Sequence, residues 1–257
     1  MSVRVVKIGG RAQSDPALTT ELARAWRAEP GALCLVHGGG DEISAMQRRF
    51  GRTAEFTGGR RVTTEEDLEI VRMVLSGSVN KRLVAALLSE GVDAVGVSGE
   101  DGKLLQATLL NGGALGRTGA PCLVEPALIR TLLDGGWMPV ISPVARELDG
   151  EGRGLNVNGD DAAAAIAAAL GATELLLLAD VAGVLVDGVP ISALDADGAA
   201  TLIRDGTATG GMAAKLEAAC SALARGVSRV RIGDLGALTR ADAGTTLIAT
   251  PLTAGAR

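Results

Sequence analysis

Leu33-Cys34-Leu35-Val36-His37-Gly38-Gly39-Gly40-Asp41 is the stretch that decides the fold. Four apolar residues without polar alternation read as a strand buried on both faces. Three glycines then end it, and a helix is expected from about residue 41. The same grammar recurs along the chain. Residues 3–8 read as a strand stopped by Gly9-Gly10, 94–97 as one stopped by Ser98-Gly99, and 175–179 as one running into Asp180. Strands are also expected at 138–141 and 229–232. Helices are expected at 15–27, with Asp15 capping and Pro16 in the first turn, and from Thr64-x-x-Asp67, a capping-box pattern, to about 76. Others fall at 79–90, 125–133, 160–170, 193–204 and 211–225. Residues 103–108 and 122–124 read as hairpin strands flanking the loop 111–119. Strand and helix alternate, which predicts an α/β chain: a three-layer αβα sandwich with a mostly parallel central sheet. No repeat or low-complexity linker interrupts it. A division into lobes 1–174 and 175–257 within one continuous fold is expected.

Composition narrows the function classes. The chain has 257 residues, 25 Lys+Arg against 30 Asp+Glu, and a net charge of −5, which argues against a nucleic-acid surface. With two Trp, two Phe and no Tyr, few rings are available to stack on bases. Hydrophobic residues make up 47%, enough to fill a core without rings, so disorder is excluded. The longest apolar stretch, 162–186, is broken by Gly171, Thr173, Glu174 and Asp180, so no membrane span is expected. Cys34, Cys122 and Cys220 are far apart and odd in number, which predicts neither a disulfide framework nor a metal site and fits a reducing, cytoplasmic setting. The N-terminus turns polar at Lys7 and does not read as a signal peptide. Glycine is the outlier at 36 residues, about twice its usual share.

A distinct subset of those glycines sits at strand ends, where ligands bind in parallel α/β sheets. There, backbone N–H groups approach an anion with no Cβ in the way. Lys7-Ile8-Gly9-Gly10 suits a phosphate, although a lysine before a turn is an ordinary surface feature. His37-Gly38-Gly39-Gly40 carries more glycine than a sharp turn needs. His37, the sole histidine, reads as a loop hydrogen-bonder rather than a general base, because no Ser or Cys nucleophile motif accompanies it. Gly210-Gly211-Met212 precedes Lys215, whose side chain leans toward the helix start; a solvated helix lysine is the competing reading. In Asn156-Val157-Asn158-Gly159-Asp160, helix capping by Asp160 or Asp161 competes with a ligand role. Asp180 to Gly183 is an ordinary turn taken alone. Neither Gly-x-x-x-x-Gly-Lys-Ser/Thr nor a strand followed by Gly-x-Gly-x-x-Gly is present.

Together with Gly59-Arg60-Arg61-Val62-Thr63 and Asn80-Lys81, these segments resemble the amino acid kinase family, most closely its branch acting on N-acetyl-L-glutamate. They occur in the family's order and span nearly the whole chain. The resemblance implies a carbamate kinase-like fold and phosphorylation of the substrate's γ-carboxylate by ATP, in arginine biosynthesis. It implies Lys7 and Lys215 on either side of the moving phosphoryl, Asp160 orienting both, and Gly9, Gly10 and Gly40 cradling its oxygens. Gly38, Gly39, Arg61, Asn156 and Asn158 would hold the substrate, with Arg61 clamping its α-carboxylate and Arg60 a rival for that role. Asp180, Val181, Gly183, Val184, Leu185, Thr209, Gly210, Gly211 and Met212 would hold the nucleotide. Mg2+ would be held by the ATP phosphates rather than by the protein. A carboxylate is already ionised at neutral pH, so such chemistry needs no strong general base.

Three departures from the pattern stand out. Glu100 occupies a place that is basic in many relatives. The segment 231–244 is short and lacks the usual Asp-Gly-Arg turn. No helical extension precedes Val3, which within the family implies an arginine-insensitive homodimer. Kinases of N-succinylglutamate or of carrier-bound aminoadipate or glutamate are the neighbouring alternative. A binding module without catalysis is the alternative from another class, and retention of Lys7, Asp160 and Lys215 favours an enzyme.

Overall fold

The computed structural model describes residues 2–149 and 151–248. The chain begins β1 (Arg4–Ile8), α1 (Leu18–Ala28), β2 (Leu33–His37), α2 (Gly40–Arg49), β3 (Phe56–Thr57), β4 (Arg60–Arg61), α3 (Glu65–Arg72) and α4 (Asn80–Ser89). It continues β5 (Ala94–Ser98), β6 (Leu105–Leu109), β7 (Thr118–Val124), α5 (Ala127–Asp134), β8 (Met138–Ser142), β9 (Val144–Glu147), β10 (Gly154–Val157) and α6 (Gly159–Leu170). The last part is β11 (Glu174–Leu178), β12 (Leu185–Val186), β13 (Val189–Pro190), β14 (Ala193–Asp195), α7 (Ala196–Arg204), α8 (Gly210–Ala224), β15 (Val230–Gly233) and β16 (Thr245–Ile248).

Eight strands form one sheet in the order β14-β16-β15-β11-β1-β2-β8-β5. All neighbours are parallel except β15 and β16. Every residue of β2, β8 and β11 is buried, so helices cover both faces and the three-layer expectation holds. The core is aliphatic, as the scarcity of rings requires: Trp26 is buried, whereas Trp137, Phe50 and Phe56 are exposed. β1 lies at the centre, between β2 and β11, so the direction in which the chain winds reverses there. Crevices form at such points beyond the strands' carboxyl ends.

Several expectations are corrected. A second sheet, the closed four-strand barrel β10-β7-β6-β9, contains two strands absent from the sequence reading. They are four residues long each, and the pairing of β10 with β7 joins segments far apart in the chain. Asp15 does not cap α1; its carboxylate accepts from the Ala17 N–H at 2.9 Å in a turn before the helix. Residues 193–195 form an edge strand, and Asp195 then caps α7 by accepting from the Gly198 N–H at 2.7 Å. The two helices expected between 64 and 90 are joined by a π-helical stretch, Met73–Val79. The capping box is present, with Thr64 and Asp67 each accepting from the other's backbone N–H. Residues 249–257, the end of the expected second lobe, lie outside the described residues.

Candidate active site

Parallel pairing places Ile8 opposite His37 on one side and Leu178 on the other. Gly9, Gly38 and Ala179 therefore leave the sheet at the same edge. Lys7, buried at the end of β1, meets Asp160 from the first turn of α6, with Nζ 2.9 Å from the carboxylate. Lys215 of α8 reaches the same carboxylate at 3.3 Å. Burial would raise the Asp160 carboxyl, but the charges of Lys7 and Lys215 outweigh it and hold Asp160 below the usual carboxylate range. Burial, and then the charge of Lys7, lowers the Lys215 ammonium. Two ammonium groups against one carboxylate leave a unit of positive charge in a desolvated place, which calls for an anion. A Cβ at Gly9 would lie 3.9 Å from both ammonium nitrogens, so its bare backbone sits between them.

Asp160 is free for this role because it does not cap α6. Asn158 does, its side-chain oxygen accepting from the Asp160 N–H at 2.8 Å.

Two clefts adjoin here and share Gly10. The first is lined by Lys7, Gly38, Gly39, Gly40, Arg61, Asn156, Asn158 and Asp160, bringing together all five residues expected for the substrate. Gly39 has no room for a side chain: a Cβ would lie 2.7 Å from Leu75 Cδ2, and Leu75 comes from the π-helical stretch. Such irregular turns are frequent at functional sites. Arg61 is buried, donates to Gln47 Oε1 (2.5 Å), Gly40 O (2.9 Å) and Ser44 Oγ (2.9 Å), and stacks 4.7 Å from the Phe56 ring. Those acceptors are all uncharged. Arg60 instead pairs with Asp161 and lies 3.7 Å from Glu217. The contrast favours Arg61 as the group with positive charge left for a ligand. The Gly58-Gly59 pair before it makes the tight turn of the β3–β4 hairpin, with φ of 55° and 74°.

His37 is buried with Nδ1 donating to Gly38 O at 3.0 Å and Nε2 accepting from Asn80 Nδ2 at 3.2 Å. The Asn80 amide also donates to Val140 O at 2.9 Å, and Lys81 binds its side-chain oxygen at 3.1 Å. This network fixes the loop at residues 38–40 and gives the Asn80-Lys81 pair its use. Burial lowers the imidazole from 6.5 to about 4, so it is neutral at physiological pH. Unfolding lets it charge, so the unfolded chain binds the extra proton and stability falls as pH drops from 6.5 towards 4. Denaturant titrations across that window are expected to show up to about 3 kcal/mol less acid sensitivity in His37→Gln than in the parent. Equal slopes would contradict this.

The second cleft is lined by Gly9, Gly10, Ala12, Leu178, Ala179, Asp180, Val181, Gly211, Met212 and Lys215. Of the expected nucleotide residues, Gly183, Val184, Leu185, Thr209 and Gly210 fall outside this lining. Val184 is buried and donates its N–H to Thr245 Oγ1 at 2.8 Å, and a Cβ at Gly183 would press on that same hydroxyl. Those two residues pin the turn after β11 to β16. Leu185 sits on the small β12–β13 hairpin, while Thr209 and Gly210 begin α8. Glu100 is bound by Arg72 at 2.6 Å and lines neither cleft.

Sequence reasoning missed Thr118, Phe56, Leu75 and Pro143 in the first cleft. Thr118 is hydroxyl-bonded to Arg61 O at 2.5 Å from 57 residues away, a pairing with no local signal.

The model of the amino acid kinase family matches residues 2–234. An acetylglutamate kinase of Roseiflexus sp. (strain RS-1) is 44% identical over 246 residues, covering 95% of this chain and 92% of that one. One from Geobacillus kaustophilus (strain HTA426) is 43% identical, covering 89% and 88%. Among solved structures, smu.665 from Streptococcus mutans UA159 superposes with a TM-score of 0.87 at 28% identity, covering 96% of this chain and 99% of that one. Giardia lamblia carbamate kinase bound to AMP-PNP superposes at 0.71 with 17% identity, covering 97% and 99%, a likeness of fold.

Proposed function

Since the chain belongs to the amino acid kinase family, we infer that it transfers the γ-phosphoryl group of ATP to the γ-carboxylate of N-acetyl-L-glutamate. The product is N-acetyl-L-glutamyl 5-phosphate, in arginine biosynthesis. One observation carries the reading: two clefts meet at a buried Lys7–Asp160–Lys215 bridge with surplus positive charge. The first two thirds of the chain, 1–174, holds the acceptor, and 175–257 supplies most of the nucleotide cleft.

In this account Arg61 binds the acceptor's α-carboxylate, for which a guanidinium fork is suited. Asn156 faces its amide group, and Asn158 sets the start of α6. A γ-carboxylate oxygen attacks the γ-phosphorus of ATP; a new P–O bond forms as the bond to the β-phosphate oxygen breaks and ADP leaves. Lys7 and Lys215 neutralise charge on the transferring oxygens, and the N–H groups of Gly9, Gly10 and Gly40 receive them. Mg2+ fits this cleft as a partner of the ATP phosphates, since Asp160 is already engaged by two lysines. When bound, it supplies further neutralisation of phosphate charge.

Arg61→Lys is expected to raise KM for acetylglutamate about 10- to 100-fold with a smaller change in kcat, because a charge-assisted fork is lost. Steady-state kinetics check it, and an unchanged KM would move the clamp to Arg60. Side-by-side kinetics test the substrate: kcat/KM for acetylglutamate should exceed that for N-succinylglutamate or carrier-bound aminoadipate by at least about tenfold. A preference for either rival would replace it as the substrate. Among the described residues no helix is long and apolar enough to cross a membrane. A cytoplasmic homodimer completes the reading, and sedimentation of the purified chain reads the dimer directly.

A further inference from the structure

Arg60 and Arg61 are consecutive in β4, so their side chains leave opposite faces of the hairpin. Arg61 turns to α2, where it meets Gln47 and Ser44. Arg60 turns to the other side, donates to Asp161 on α6 and lies 3.7 Å from Glu217 on α8. The hairpin has two residues per strand, and β3 is exposed. So small a ribbon has little stability of its own, and its position is set by what it is tied to. The ties of Arg60 are informative. Asp161 is the chain neighbour of Asp160, which holds both lysines. Glu217 is two residues from Lys215. The Arg60 and Asp161 side chains are 20% and 19% exposed, so salt screens their attraction less than it would a surface pair's.

We propose that Arg60 is a positioning residue that couples the two clefts: by bridging the substrate-side hairpin to Asp161 and Glu217, it makes acceptor binding and nucleotide binding mutually tightening. An acceptor held on Arg61 seats the hairpin, and a seated hairpin holds α6 and α8 where Lys215 meets Asp160. Nucleotide phosphates drawn to Lys215 bias the same arrangement from the other side. Linkage requires the effect to be reciprocal. Arg60 is suited to tying rather than to binding, since its charge already faces two carboxylates, while the hydrogen-bond acceptors of Arg61 are all uncharged.

The inference rests on acetylglutamate and ATP being the ligands, and the test separates the two claims. Acetylglutamate is titrated calorimetrically with and without AMP-PNP into the parent, Arg60→Ala, Asp161→Asn and the double variant, after acyl phosphate formation by the parent is measured. The parent is expected to bind acetylglutamate at least about fivefold more tightly with the nucleotide. In each single variant the ratio should fall to within about twofold of unity, and the double variant should be no worse than either single. Arg60→Lys, which keeps the charge but not the fork, should recover part of the ratio. A ratio near one in the parent, a parental ratio in Arg60→Ala, or multiplying single effects would overturn the coupling while leaving the function intact. No product from the parent would overturn both.

Discussion

Lys7→Ala lowers the turnover of acyl phosphate formation by about 10²- to 10³-fold, the cost of removing one preorganised charge from a transferring oxyanion. The protein stays folded, because Asp160 keeps Lys215 at 3.3 Å and is not left as an unpaired buried charge. Lys215→Ala gives a loss of the same order, with Lys7 retaining Asp160 at 2.9 Å. A role confined to folding predicts the reverse, a lower melting temperature with normal turnover per folded molecule. Circular dichroism melts beside single-turnover rates separate the two. Parental turnover in either variant would refute the assigned role. Since Lys215 titrates below an ordinary lysine, its charge, and with it the rate, is lost on the alkaline side earlier than the ordinary lysine range.

Arg231→Ala does the opposite: it unfolds the protein more easily and spares the chemistry. Arg231 is 2% exposed and donates to Glu174 at 2.6 Å and to the carbonyls of Arg240 (2.9 Å), Ala243 (2.8 Å) and Ala237 (2.8 Å). Glu174 stands opposite Arg4 in the β1–β11 register and is bound by it at 2.8 Å. Burial would raise the Glu174 carboxyl, yet Arg231 and Arg4 hold it below its usual range. Removing Arg231 orphans several buried acceptors and half-strips a buried carboxylate, at a cost of about 3–5 kcal/mol. For a chain of this size that corresponds to roughly 10 °C in Tm. The cluster lies at the amino ends of β1 and β11, whereas the Lys7–Asp160–Lys215 bridge lies at the carboxyl end of β1, so turnover of the folded fraction should stay within about twofold. A Tm within about 1 °C of the parent would contradict this account.

Arg231 also explains how the short segment 231–244 closes the sheet. Its guanidinium gathers the carbonyls of the loop between β15 and β16, and Thr245 at the start of β16 pins the turn after β11. Nothing local in the sequence marks Arg231 as buried, because its partners are spread from residue 174 to 243. The strand ends were legible for the opposite reason. An apolar run followed by glycine is a local pattern, and parallel pairing of β1 with β2 and β11 then aligns those ends without further information. Capping was legible only in part. Thr64 and Asp67 match a reciprocal motif and formed it, whereas Asn158 took the cap of α6 that Asp160 or Asp161 could equally have taken. That choice is what leaves Asp160 to the lysines. The barrel strands β9 and β10 were not legible: they are short, and although they pair with each other locally, their other partners, β6 and β7, lie far back in the chain. The partition of Arg60 and Arg61 needed the structure too, since Asp161 lies 101 residues from Arg60.

The central claim is that the cationic bridge of Lys7, Asp160 and Lys215 serves phosphoryl transfer to a carboxylate. The purified protein, given ATP, Mg2+ and N-acetyl-L-glutamate in the presence of hydroxylamine, should yield the hydroxamate of an acyl phosphate together with an equal amount of ADP. ADP without hydroxamate, or neither product, would contradict it.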